Sequence, residues 1–206
     1  MLSIPYEKQI DPNACALACY TMVAKYFFPE ITTEVIKMVA GWEPDYTVWA
    51  FKFWRWIMDC GIKIEEYELI DYNLWAEEGL TGLRKSVSDS EFNFYTKYAK
   101  DIGVYPEQIK AILNHKNFKY HKAKPTYEQL NDALANKKVC TVVLDSRSLR
   151  NLTGFSLHQV VILSASKDQV NIHDPLTGPN LAIPKATFIK AWLEKVSQPE
   201  LTVYSR

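Results

Sequence analysis

Cys15 is the residue of this sequence whose surroundings best suit a nucleophilic thiol. The preceding segment Asp11-Pro12-Asn13 is typical of a helix start, because Asp or Asn can cap a helix and Pro fits its first position. Cys15 is therefore predicted in the first helical turn, where the dipole and free N–H groups favour the thiolate. Gln9, six residues earlier, offers an amide N–H that could donate to an oxyanion beside the N–H of Cys15.

A base for this thiol is expected from the far half of the chain. His158 opens a predicted strand at 158–166, and Asp174 lies at the end of the next predicted strand, 169–175. A turn at Lys167-Asp168 would bring the two strand ends side by side. The residue counts on the two sides of that turn are unequal, so direct pairing of His158 with Asp174 needs a bulge or a longer turn.

Two other arrangements of the same residue types compete with this one. His173 is the rival base, but neighbours in a strand point to opposite faces, so His173 and Asp174 cannot both face the site. A tetrahedral metal site from Cys15, Cys19, His158 and His173 is disfavoured, because these residues lack the close paired spacing of zinc ligands. Cys19 is expected in the core of an apolar helix. The prediction is a site without metal or organic cofactor.

The elements that would position these residues follow from periodicity and turn signals. Helices are predicted at 15–28, 33–40, 47–60, 73–85, 90–101, 106–113, 126–135 and 185–195, and strands at 62–69, 118–121, 139–145, 158–166, 169–175, 181–184 and 201–204. Helices and strands are thus segregated along the chain. The expected fold class is α+β, with a helical N-terminal half packed on a C-terminal antiparallel β-sheet.

Composition excludes several classes of protein. The chain has 206 residues, 24 Lys+Arg against 24 Asp+Glu and no charge block, which argues against a nucleic-acid partner. It has neither a signal peptide nor an apolar run of the ~18 residues a membrane helix requires, so we expect a cytoplasmic protein with no membrane partner. The four cysteines are expected as free thiols. The length fits a single domain, 1–206, and leaves the oligomeric state open.

The order of these motifs resembles the papain-like double-glycine peptidase family, whose members mature bacteriocin leader peptides. The resemblance is carried by QIDPNACALAC at 9–19, HQVVIL at 158–163, VNIHDP at 170–175 and the Phe-x-x-x-Trp pattern FIKAW at 188–192. It implies a papain-like fold, with Cys15 as nucleophile and His158 as base and later acid. It further implies that Asp174 orients the imidazole and that Gln9 is the oxyanion donor.

The sequence departs from the family pattern at two places, which bear on the substrate and its specificity more than on the type of reaction. Ala16 stands where the family usually has Gly, and residues 42–116 form a long helical insertion that contains five of the six tryptophans. The predicted function is a cysteine peptidase-like hydrolase that cleaves a peptide or related amide bond through an acyl-enzyme. A thiol acyltransferase or deamidase on the same fold, a non-catalytic peptide-binding module and an interaction protein that uses the aromatic insertion remain as alternatives.

Overall fold

A computed structural model describes all 206 residues as ten α-helices and seven strands. The helices are α1 Cys15–Phe27, α2 Thr33–Ala40, α3 Phe51–Asp59, α4 Tyr72–Glu78, α5 Leu80–Ser86, α6 Asp89–Tyr98, α7 Tyr105–Leu113, α8 Tyr127–Ala135, α9 Ser146–Leu149 and α10 Lys185–Ile189. The strands are β1 Lys63–Glu68, β2 Phe118–Lys122, β3 Val139–Asp145, β4 Leu157–Ala165, β5 Gln169–Asp174, β6 Gly178–Pro184 and β7 Glu200–Ser205. The segregated α+β architecture predicted from the sequence is confirmed.

All seven strands form one sheet in the order β2-β1-β7-β3-β4-β5-β6. Strands β3 to β7 are the predicted C-terminal antiparallel sheet. The sheet is wider than predicted, because β1 joins the edge of β7 and brings β2 with it as a parallel neighbour. Strand β7, the last in sequence, therefore lies in the interior of the sheet and connects the two halves of the chain.

The sheet separates two hydrophobic cores. In β4, Val161 and Leu163 belong to the core under α1, α3, α4 and α7, whereas Val160 and Ile162 belong to the core under α8 and α10. This division follows from the alternation of side chains along a strand. The larger core holds the aromatic residues of 42–116, among them the buried Trp54 and Trp75, so this segment is part of the main packing layer.

Three predicted helices have different limits in the structure. The helix expected at 47–60 begins only at Phe51, because Thr47 instead bonds the carbonyl of Tyr98 through its N–H. The helix expected at 73–85 is broken at Gly79, whose φ of 63° suits glycine. The helix at 185–195 becomes a π-helix over Lys190–Glu194. No helix of the chain combines the length and the hydrophobicity needed to cross a membrane.

Candidate active site

Cys15 is the first residue of α1 and is partly exposed. The N-cap is Ala14, and no side chain caps the helix, so the capping predicted for Asp11 or Asn13 is wrong. The carboxylate of Asp11 instead accepts the N–H of Asn13 at 2.7 Å and closes a turn before the helix. The N–H of Cys15 makes no hydrogen bond within the chain. An unpaired donor and the positive end of the helix dipole therefore lie beside the thiol.

The imidazole of His158 connects the thiol to a carboxylate. Its Nε2 lies 2.6 Å from Oδ1 of Asp174, and both side chains are buried. This leaves Nδ1 as the free ring nitrogen, and His158 and Cys15 line the same cavity, where each shifts the pKa of the other. The structure thus brings together three residues that the sequence places on one helix and two strands.

Irregular pairing of β4 with β5 allows this contact. Val161 lies opposite His173, and the register shifts between Ile162 and Ser164. The bulge that the unequal residue counts demanded is therefore present. Beyond the end of β5, the carboxylate of Asp174 accepts the N–H of Leu176 at 2.8 Å and the hydroxyl of Thr177 at 2.5 Å. These donors fix the carboxylate in the orientation that meets His158.

Cys15, His158 and Asp174 shift one another's pKa values towards the charged forms. Burial raises the pKa of the Cys15 thiol, but the hydrogen bond and charge of His158, with N–H groups of Gln159 and Ala16, lower it overall. Burial lowers the pKa of His158, yet its bonds to Asp174 and Cys15 bring that pKa to about 9. Burial likewise opposes ionisation of Asp174, but His158 and Thr177 hold its pKa at about 2. The imidazolium of His158 therefore favours the thiolate form of Cys15.

Gln9 lies next to this group and makes no hydrogen bond to Cys15. Its backbone N–H donates to the carbonyl of Pro175 at 3.0 Å, which fixes the N-terminal segment beside the end of β5. Its side-chain amide donates one hydrogen to the carbonyl of Asp11 at 2.8 Å, and its Oε1 is buried without a partner. One amide hydrogen of Gln9 therefore remains unengaged, on the segment that leads into α1.

His173 lies on the opposite face of β5, as side-chain alternation requires. Its Nε2 lies 2.9 Å from the carbonyl of Ile4, and its Nδ1 accepts the N–H of Asn180 at 3.1 Å. Both ring nitrogens are thus occupied by backbone groups, and burial lowers the pKa of the ring.

Cys19 is fully buried and donates to the carbonyl of Gln159 at 3.3 Å. Burial raises the pKa of the Cys19 thiol well above its ordinary value, so this thiol stays protonated.

The comparison with family models decides where the chain belongs. Residues 1–200 match the model of the Peptidase_C39 like family. The chain belongs to the Peptidase_C39 like family. No curated protein matches the sequence. Family membership supports a cysteine peptidase-like function, in keeping with the resemblance seen in the sequence.

Solved structures with the same fold are distant in sequence from this C39-like protein. A C39-like peptidase from Bacillus anthracis has a TM-score of 0.55 and 12% identity, with 99% of this chain and 95% of that one covered. A double glycine motif protease from an AMS/PCAT transporter, solved in complex with the leader peptide, has a TM-score of 0.51 and 14% identity, with 99% and 93% covered. These comparisons show the papain-like C39 fold.

A cavity leads from Cys15 and His158 into the interior of this C39-like protein. Its walls are mostly apolar and aromatic, and Glu68 and Glu200 also line it. Sequence reasoning missed these acidic residues and the neighbouring Glu66. The signal was present in the strand 62–69, where the buried face continues from Ile64 to Glu66 and Glu68. Two glutamates on the face that carries the apolar residues mark an unusual environment.

Proposed function

We propose that this protein is a cysteine peptidase-like hydrolase that cleaves a peptide amide bond through a thioester on Cys15. The observation that carries the proposal is the 2.6 Å contact of His158 with Asp174 in the cavity wall that also holds Cys15, the first residue of α1. These residue types in this order supply a nucleophile, a base that also serves as acid, and a group that fixes the imidazole tautomer.

In the proposed reaction the thiolate of Cys15 attacks the carbonyl carbon of the substrate and forms a C–S bond. The carbonyl oxygen becomes an oxyanion, which accepts hydrogen bonds from the N–H of Cys15 and from the free amide hydrogen of Gln9. His158 gives its Nδ1 proton to the departing amine, and the C–N bond breaks. Water then attacks the thioester while His158 takes up its proton, which releases the acid and restores the thiolate.

Asp174 takes no proton in this cycle. Its bond to Nε2 keeps the Nδ1 edge of His158 directed at Cys15 and stabilises the imidazolium. No step requires a metal or an organic cofactor. We propose a peptide as substrate, since the distant relative solved with a bound leader peptide shares the fold and since the cavity at Cys15 offers aromatic and apolar walls.

The test is cleavage of a complex peptide mixture, followed by mass spectrometry. Wild type should generate new termini, and Cys15→Ala should abolish them because no other residue can form the thioester. Cys60→Ala is the matched control, since Cys60 is an exposed thiol away from His158. Equal cleavage by wild type and Cys15→Ala would contradict the proposal. Products that carry an added amine in place of water would instead identify an acyltransferase.

A further inference from the structure

We infer that the three carboxylates of Glu66, Glu68 and Glu200, here called the acidic cluster, bind the cationic side chain of a lysine or arginine in the substrate. The cavity that Cys15 and His158 line is lined by Glu68 and Glu200 as well. The inference rests on the proposed function, because it assigns the basic side chain to a residue near the bond that Cys15 attacks. It adds a substrate class that the reaction chemistry alone does not specify.

The acidic cluster is a consequence of strand pairing. In the antiparallel pair of β1 with β7, Glu66 lies opposite Thr202 and Tyr67 opposite Leu201, which puts Glu68 opposite Glu200. Alternation then directs all three glutamates to the same face of the sheet. One carboxylate oxygen from each of the three lies within 4.8 Å of the other two. The sheet holds the three carboxylates in place more firmly than a loop would.

Glu66 lacks the hydrogen bonds that a buried carboxylate requires. Its exposed fraction is 0%, and neither of its carboxylate oxygens has a partner. The neighbouring hydroxyl of Thr202 donates its single hydrogen to Glu200 at 3.0 Å. The Oε1 of Gln198, which also lines the cavity, is a further buried acceptor without a donor. Buried acceptors without donors are rare in native proteins, and this set calls for a ligand that brings N–H groups.

The surroundings of the acidic cluster supply no compensating charge. His158 is the sole basic residue that lines the cavity, and it already serves Asp174. Burial, and then repulsion from the other glutamates, raise the pKa values of Glu66 and Glu68 well above the ordinary value. Burial raises the pKa of Glu200 to about 7. An incoming ammonium or guanidinium group would supply the positive charge that the cavity lacks, and the glutamates would release protons as it binds.

The walls of the cavity suit an organic cation better than a metal ion. Tyr20, Trp54, Tyr72 and Tyr95 line it, so aromatic faces are available to a methylene stem and to a cationic head. Ca²⁺ and Mg²⁺ require about six oxygen ligands, whereas Glu68 already accepts the hydroxyl of Tyr72 and Glu200 accepts that of Thr202. The two oxygens of Glu66 and the Oε1 of Gln198 are unpaired acceptors, equal in number to the three N–H donors of a lysine ammonium.

The test measures binding without requiring catalysis. Blocked alanine pentapeptides with lysine or norleucine at the centre are titrated into Cys15→Ala by calorimetry at pH 7, in two buffers of different ionisation enthalpy. The lysine peptide should bind at least tenfold more tightly, with proton release that the norleucine peptide does not cause. Adding Glu66→Gln or Glu200→Gln should reduce the preference below threefold. Glu128→Gln, at an exposed position, should leave the preference unchanged.

Equal binding of the two peptides, or a preference that survives Glu66→Gln and Glu200→Gln, would overturn the inference. Binding of Ca²⁺ or Mn²⁺ that Glu66→Gln abolishes, without any lysine preference, would overturn it in favour of a metal site. Failure of the proposed function gives a different result, since wild type would then bind the lysine peptide but cleave nothing in the peptide mixture. Cleavage with no basic residue near the cut sites would leave the function standing and reject the acidic cluster as a substrate site.

Discussion

His158 and Asp174 are joined by a 2.6 Å hydrogen bond although sixteen residues separate them in the sequence. The contact depends on the register shift in the β4–β5 pair, which brings the start of one strand to the end of the next. Because pairing with β3 holds the backbone of His158, and Leu176 and Thr177 hold the carboxylate of Asp174, the imidazole has little freedom to turn away from Cys15. The first predictions concern what this contact does to the thiol.

Alkylation should distinguish Cys15 from the other three cysteines. The pKa of the Cys15 thiol is lowered by His158 despite burial, whereas burial raises the pKa of Cys60. Iodoacetamide labelling, followed by mass spectrometry across pH, should therefore show Cys15 reacting at lower pH than Cys60. In His158→Ala, burial still raises the pKa of the Cys15 thiol, and no imidazolium lowers it. The alkylation rate of Cys15 should therefore rise only at higher pH than in the wild type. A Cys15 profile that coincides with that of Cys60 in the wild type would refute the thiolate–imidazolium pair.

Asp174→Asn should alter catalysis through His158 without removing the nucleophile. The carboxylate and the thiol of Cys15 together raise the pKa of His158 to about 9, so loss of the carboxylate should lower that pKa and shift the alkaline limb of the rate–pH profile to lower pH. We expect kcat to fall by roughly 10²–10⁴, the range for disturbed general acid–base groups. Rate–pH profiles of both proteins provide the measurement. If the alkaline limb did not move, its pKa would belong to a group other than His158.

The sequence was sufficient to predict the helix with Cys15 and the strands with His158 and Asp174, and it narrowed the connection between those strands to a bulge or a longer turn. These features depend on local signals, such as an apolar helix pattern and unequal strand lengths around a turn. The start of α1 was misjudged at the level of single residues. Asp11 had the right chemistry for a cap, but its carboxylate closes a turn with Asn13 instead. Competition between such local hydrogen bonds is decided by geometry that the sequence does not contain.

The acidic cluster was not predicted because it depends on a non-local pairing. The alternation in β1 was visible, but the position of Glu200 opposite Glu68 follows from β7 pairing with β1 over more than a hundred intervening residues. The parallel pairing of β2 with β1 was missed for the same reason. Side-chain alternation predicts the face on which a residue lies, whereas its neighbours across the sheet require the topology.

Gln9→Ala should slow turnover while leaving the thiolate intact. The amide of Gln9 donates to the carbonyl of Asp11 at 2.8 Å and makes no hydrogen bond to Cys15 or His158. As an oxyanion donor it would act only in the transition state, so its removal should reduce kcat by about 10²–10³ with little change in KM. The alkylation profile of Cys15 should stay as in the wild type. A shifted profile would mean that Gln9 positions the thiol rather than the oxyanion.

His173→Ala should affect stability and not the pH dependence of the thiol. The ring links Ile4 to Asn180 and packs edge-on against Tyr6 with centroids 5.4 Å apart. Its loss leaves the carbonyl of the buried Ile4 without its partner, at a cost of about 1–3 kcal/mol, whereas the N–H of the exposed Asn180 can turn to water. Urea denaturation should show the destabilisation, and Cys15 alkylation should be unchanged. If His173→Ala instead raised the alkylation pH of Cys15, His173 would be the base.

Glu66→Gln should make the protein more stable at alkaline pH. The glutamates of the acidic cluster have raised pKa values, about 7 for Glu200, so between pH 4.5 and 7 the folded state binds more protons than the unfolded state. Their contribution to stability is complete below pH 4.5 and is lost as the pH rises through the folded pKa. Each such proton lowers the free energy of unfolding by at most about 1.4 kcal/mol per pH unit.

Glutamine at position 66 removes one of the three like charges and adds an N–H₂ group that can donate to Glu68 or Glu200. Urea midpoints at pH 5.5 and pH 8 should therefore fall less with rising pH in Glu66→Gln than in wild type. Glu128→Gln, which is exposed, should behave as wild type. The His158–Asp174 pair also loses stability as the pH approaches 9, but it is present in all three proteins and cancels in the comparison. Equal pH dependence in Glu66→Gln and wild type would mean that Glu66 does not titrate in this range.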